Sequence, residues 1–365
     1  MKILLSIIVA FSILSAQLPD VQQPLSWIKQ HTVNVPNEAV RCYENITPWI
    51  NPLQQIHLHS GHLGLPLLST DWSEPLQTNQ TWKFSFTSGT GFSPTYPWLR
   101  PPKRCGGKGI YDEGANRVLF YGGSHRVKSG YGIINTAGTA VELNAEERNM
   151  WAWNPHTEQW YDMRPLPRDL MSMNDYFFRG YTINFGYARD YGLMLFSTTI
   201  GLRIQAYSYH FNRYILFGDS GTIPRIDYQS ASYDLRKRTL VIAGNDTDTY
   251  LFTLGENKMK KADFAGKPST TFAWYGGTDA VSYDENSSKH IYLRGDGGAM
   301  YTLDLNENYG WRALTSTVGT PPSAGHLGTN LHYARELNAH INYSAIGSQI
   351  WTFKLAAKDN SIPEG

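Results

Sequence analysis

Cysteine is almost missing from this 365-residue chain: only Cys42 and Cys105 occur, so one disulfide at most can form. Charge is scarce and balanced. Charged residues make up 17%, and 32 Lys plus Arg stand against 31 Asp plus Glu, for a net charge of +1. That balance gives no global electrostatic argument for nucleic acid, so any basic site must be local. Long helical periodicity is absent. No apolar run of membrane length follows the N-terminus, so the mature protein is expected to be soluble, with no membrane partner. Two catalytic signatures are also lacking. No nucleophile elbow supports a serine-hydrolase triad, and no Gly-x-x-x-x-Gly-Lys loop cradles phosphate.

What is present begins with an export signal. Lys2 is a charged start, Ile3 to Leu14 is apolar, and Leu14-Ser15-Ala16 ends on small residues. This reads as a signal peptide over 1–16, which makes the protein secreted, extracellular or periplasmic. In an exported protein Cys42 and Cys105 are expected as one disulfide, with two free buried thiols as the alternative. The remaining 17–365 reads as a single domain. Its 41% hydrophobic and 13% aromatic content is ample for a core, and 33 Gly suggest many short strands and turns.

An internal repeat organises the chain. Gly109-Ile110-Tyr111-Asp112 is followed by Arg117 to Tyr121 and then Gly122-Gly123. Ala231-Ser232-Tyr233-Asp234 precedes Thr239 to Gly244, and Val281-Ser282-Tyr283-Asp284 precedes Lys289 to Leu293. Weaker copies centre on Tyr187 and Tyr333. An alternating strand reaches the Tyr-Asp pair, a polar turn reverses the chain, and a β-branched strand follows. Trp151 and Trp153 mark a third strand, and Thr157 to Trp160 begins a fourth. Four strands per repeat predicts an all-β, six- or seven-bladed β-propeller of four-stranded blades. Residues 17–103 are expected to form irregular N-terminal blades and 104–356 the regular repeats. The longer step from Tyr111 to Tyr187 implies an insertion.

Tyr-Asp, turn, strand, Gly-Gly and then Trp-x-x-Asn-Pro-x-Thr-x-x-Trp resembles a kelch blade over about residues 104–356. Kelch-type propellers include scaffolds, copper radical oxidases similar to galactose oxidase, and polysaccharide lyases, so the fold does not choose among functions.

Used as a ruler, the repeat places the loop after each second strand at one end of the ring. His125, Tyr181, Arg203, Tyr250, Arg294 and His326 are then expected around one funnel. Acids on that face are few, which argues against a glycosidase carboxylate pair. His, Tyr and Arg suit proton removal beside a uronate: Arg stabilises the developing enolate, and Tyr or His transfers the protons. The order His125, Tyr187, Arg203, Tyr250 is similar to propeller-type ulvan lyases. That resemblance implies acid–base work by His125 with Tyr181 or Tyr187, charge neutralisation by Arg203, and assistance from Tyr250. The partner would be an anionic polysaccharide touched also by Arg126, Lys128, Asn144, Asn245, Arg294 and His326. The chain would act as a monomer, without cofactor or metal. It departs from those lyases in lacking their second histidine, for which Asn144 is the nearest polar substitute. Two alternatives stand beside this one. A non-catalytic secreted propeller could bind glycan or protein through the same loops. Cys105 before a first strand and Tyr181 before the next suggest a copper radical oxidase.

Overall fold

The computed structural model describes residues 22–32, 41–43, 48–59, 62–63, 79–89, 91–101, 105–124, 150–165, 185–197, 204–217, 230–243, 248–267, 279–294, 299–307, 310–319, 331–344 and 349–358. The leader expected at 1–16 lies outside them. The expected all-β architecture is present: six four-stranded antiparallel sheets form a six-bladed propeller.

The first described strands are β1 (Ser26–Thr32) and β2 (Arg41–Tyr43). Blade I is β3 (Trp49–Ile50), β4 (Gln55–His59), β6 (Thr81–Ser85) and β7 (Phe92–Thr95), while β5 (His62–Leu63) pairs with β2 in a separate ribbon. Blade II is β8 (Cys105–Asp112), β9 (Arg117–Ser124), β10 (Trp151–Asn154) and β11 (Gln159–Asp162). Blade III is β12 (Phe185–Ala188), β13 (Leu193–Ser197), β14 (Ile204–Ser208) and β15 (Arg213–Leu216). Blade IV is β16 (Ser230–Asp234), β17 (Thr239–Ala243), β18 (Thr249–Thr253) and β19 (Lys258–Ala262). Blade V is β20 (Ala280–Asp284), β21 (Lys289–Leu293), β22 (Met300–Leu303) and β23 (Arg312–Leu314). Blade VI takes β24 (Leu331–Ala334), β25 (Ala339–Ser344) and β26 (Gln349–Lys354), and completes itself with β1.

The first strand of each blade lies innermost. β3, β8, β12, β16, β20 and β24 touch in sequence and then close back on β3. Each sheet buries both faces against neighbours, and the strand period of two sorts its side chains. In blade IV, Tyr233, Leu240, Ile242, Tyr250 and Phe252 pack with Ala188, Leu195 and Ala206 of blade III. Their sequence neighbours Val241 and Ala243 pack instead with Val281, Tyr292, Leu303 and Trp311 of blade V.

Ring closure joins the two chain termini. Ser26 to Thr32 pair antiparallel with Lys354 to Gln349. Trp27, almost fully buried, stacks 5.0 Å from Phe353 and donates its indole N–H to Met300 Sδ at 3.1 Å. The N-terminal region therefore supplies one blade plus the outer strand of the last, which brings the ring to six rather than seven.

Candidate functional site

The repeat motif lies on the inner strands and their turns. Trp49, Tyr111, Tyr187, Tyr233, Tyr283 and Tyr333 occupy one equivalent position. Five residues after each, the backbone is left-handed: Gln54 (φ 46°), Asn116 (53°), Gly192 (60°), Arg238 (53°), Ser288 (57°) and Asn338 (45°). Asn and Gly suit that conformation best. The aspartate beside the tyrosine caps the turn. Ala115, Lys237 and Ser287 each donate a backbone N–H to Asp112, Asp234 and Asp284, at 2.8–2.9 Å. Trp49 and Gln54 form a sixth copy that a search for Tyr-Asp overlooks. Gln54 carries no residue-type mark of the left-handed turn, so this copy shows only in the fold.

The same aspartates tie neighbouring blades. Tyr187 donates its hydroxyl to Asp112 Oδ1 at 2.6 Å. His340 Nε2 lies 3.2 Å from Asp284 Oδ2. His290 Nε2 lies 3.8 Å from Asp234 Oδ2, while its Nδ1 shares a hydrogen bond with Ser232 Oγ at 2.7 Å. Burial raises the pKa values of Tyr187, Tyr233, Tyr283 and Tyr333, and nearby carboxylates raise them further. Tyr111 is pushed up to about 12, chiefly by burial and then by Glu113. Such hydroxyls are poor bases and weak acids at neutral pH.

Two residues beyond each aromatic lies a further equivalent set: Asn51, Glu113, Arg189, Leu235, Glu285 and Arg335. Arg189 meets Glu285 at 2.9 Å and Glu113 at 3.6 Å, and Arg335 meets Glu113 at 3.2 Å. Asn51 donates its amide to Glu113 Oε1 at 2.6 Å. The Arg189–Glu285 and Arg335–Glu113 pairs each skip a blade, so they cut across the mouth of the ring. Burial raises the Glu285 pKa, against the opposing pull of Arg189. The inner strands therefore end at a bonded floor. Above it they line a cavity of about 210 Å³ whose wall includes Lys108, Ser232, Ser282 and His332.

Of the residues singled out from the sequence, Tyr187, Tyr250 and Arg294 are described. Tyr187 sits at the floor end, paired in register with Met194 next to the turn. Tyr250 and Arg294 belong to the other end. Tyr250 pairs with Ile242 at the start of β18, and Arg294 directly follows β21. Tyr250 is buried between blades III and IV, with its hydroxyl donated to Asp248 at 3.3 Å. Arg294 donates its backbone N–H to the Ala299 carbonyl at 3.1 Å. His125, Arg126, Lys128, Asn144, Tyr181, Arg203, Asn245 and His326 lie outside the described residues, as do the side chains of Cys42 and Cys105. The described strand ends that flank Arg203, Asn245 and Arg294 share the end away from the floor.

Sequence spacing also draws attention to His57 and His59, on one face of β4. Both are buried, with ring centroids 6.3 Å apart. Trp153 and Trp160 pack on His57 at 5.4 and 5.6 Å. Burial lowers the His57 pKa to about 3, so the ring is neutral. Among the described residues, no cluster of three or more His, Cys, Asp or Glu could hold a metal ion, and no helix is long and apolar enough to cross a membrane.

No protein-family profile and no curated protein matches this chain. Solved structures do match its fold. One is a structural genomics protein of unknown function from Bacteroides thetaiotaomicron VPI-5482, with TM-score 0.52 and 9% identity over 86% of this chain and 69% of that one. Another is an auxiliary nutrient binding protein from the same organism, with TM-score 0.50 and 8% identity over the same shares. Neither is described as a lyase or an oxidase. At such identities the likeness is one of fold, and the fold that this chain shares with them is the β-propeller.

Proposed function

We propose that this chain is an exported, non-catalytic propeller that binds glycan at the end of its channel away from the ion-paired floor. One observation carries the reading: the hydroxyls of Tyr111 and Tyr333 are donated to Asn116 and Asn338 of their own turns, and Tyr187 and the acids of the channel are engaged in bonds between blades. Tyr187 is donated to Asp112, and Glu113 and Glu285 are held by Arg189 and Arg335. Groups so held stiffen a ring well and transfer protons poorly. Kinship of fold with an auxiliary nutrient binding protein supports the same reading. The ligand would be an anionic polysaccharide. Arg294, with Arg203, Asn245, His125, Arg126 and Lys128 on neighbouring loops, would supply the polar contacts.

The test is calorimetric titration of the full chain with ulvan, alginate and polygalacturonate, followed by the Arg294→Ala and Arg203→Ala variants. The expected result is saturable binding of at least one polymer, weakened about tenfold by either substitution. Steady growth of the ultraviolet absorbance of a C4–C5-unsaturated uronate would instead establish elimination and overturn the proposal.

A further inference from the structure

Among the described residues, the two most exposed aromatic side chains, Trp98 and Tyr96, lie away from the channel beside the outer strand of blade I, and Tyr161 lies on the outer strand of blade II. Trp98 is 95% exposed, Tyr96 78% and Tyr161 44%. Large aromatics normally bury themselves, so an exposed group of them marks an interaction surface.

The group is built rigidly. β7 and the segment after it carry Pro94, Pro97 and Pro101, which restrict the backbone. Thr95 anchors its start by donating Oγ1 to the buried Thr81 carbonyl at 3.1 Å. Trp98 donates its backbone N–H to Gln159 Oε1 on β11 at 3.2 Å. Tyr161 lies two residues further along that strand and so on the same face as Gln159. Blade I thus contributes Tyr96 and Trp98, and blade II contributes Tyr161 and the Gln159 amide. Trp160 between them turns inward and donates its indole N–H to Thr81 Oγ1 at 3.0 Å.

We infer that Tyr96, Trp98 and Tyr161 form a stacking platform for the pyranose rings of a polysaccharide, separate from the channel. The size of the group favours a sugar over a second protein. Three such rings at those exposures offer roughly 430 Å², taking about 200 Å² per ring. A stable protein interface needs about 800 Å² per partner. The group's charge agrees. Arg164 is paired with Asp162 at 2.8 Å, and Arg100 turns back onto the Pro97 carbonyl. Arg164 is thus offset by Asp162, while Arg100 keeps its positive charge beside the rings, an arrangement that suits ring stacking with hydrogen bonds from an amide and an arginine. Leu99, half exposed, extends its apolar edge. Held in place beforehand, these rings lose little conformational entropy on binding.

The experiment titrates full-length protein with cellohexaose, xylohexaose and laminarihexaose, using the Trp98→Ala, Tyr161→Ala and Arg294→Ala variants. At least one probe is expected to bind, and Trp98→Ala to weaken it about tenfold or more. Tyr161→Ala should weaken it less, and Arg294→Ala should leave it intact. Thermal midpoints should be unchanged, since the rings are exposed. Three results would overturn the platform: no probe binds, Trp98→Ala binds as the parent does, or the parent proves a dimer that Trp98→Ala separates. Binding lost in Arg294→Ala alone would sink the platform but spare the channel reading. Binding lost in Trp98→Ala alone would do the reverse for that probe.

Discussion

Tyr187 of the third blade donates its phenolic hydrogen to Asp112 of the second, and the same Asp112 oxygen accepts the Ala115 backbone N–H that closes its own turn. One carboxylate thus fixes a turn and joins two blades. Tyr187→Phe should lower unfolding free energy by about 1–2 kcal/mol, because a buried acceptor loses a donor. Glycan affinity should not change. Chemical denaturation beside calorimetric titration checks both. Unchanged stability with lost binding would return Tyr187 to the list of ligand contacts.

The arginine floor gives a second prediction. Arg189 serves both Glu113 and Glu285, and its side chain is only 24% exposed. Arg189→Met should cost about 1–3 kcal/mol, less than for a fully buried pair because water screens part of the charge. The double variant Arg189→Met, Glu285→Met should cost less than the two single changes summed. A double-mutant cycle in urea reads this coupling, and strict additivity would mean that the bridge contributes nothing.

His57 sets a pH dependence. Its pKa is about 3 in the folded protein and near 6.5 when unfolded. Between those values the unfolded chain takes up a proton that the native state refuses. Stability due to His57 is therefore intact above about pH 6.5 and falls as the pH drops toward 3. At pH 5 the loss is about 2 kcal/mol. His57→Phe keeps a ring against Trp153 and Trp160 and removes the titration. Between pH 7.5 and 5 its unfolding free energy, read from urea melts, should drop by about 2 kcal/mol less than the parent's. Equal drops would contradict the assignment.

Much of this was legible in the residues. Tyr111, Tyr187, Tyr233, Tyr283 and Tyr333 announce five blades because an alternating strand, a tyrosine and a polar turn recur along the sequence. Blade I was harder, since Trp49 replaces tyrosine and Ile50 replaces the aspartate. The role of β1 left no local trace, because its partner β26 lies at the other end of the chain. The floor was not read from the sequence: its residues lie two positions past each aromatic, but only coordinates show that Arg189 reaches over a blade to Glu285. The platform was the least legible. Nothing in Tyr96-Pro97-Trp98 says whether tryptophan points in or out, and a core position is the ordinary expectation for it.

Closure by β1 can be tested through Trp27, which packs on Phe353 and reaches Met300. Trp27→Ala should cost about 3–5 kcal/mol as a cavity in the core. It should also loosen β1 from β26 before the rest of the ring. Hydrogen exchange would report this as faster exchange confined to residues 26–32 and 349–354. Uniform loss of protection across all blades would show that closure is not a separable unit.

The central claim is retention of a glycan without its conversion, and mass spectrometry of a recovered ligand tests it most directly. The full-length protein is saturated with the tightest-binding oligosaccharide, incubated through many binding half-lives and denatured, and the sugar is weighed. The account predicts an unaltered mass. A product lighter by a cleaved unit, or one bearing a new double bond or an oxidised carbon, would contradict it.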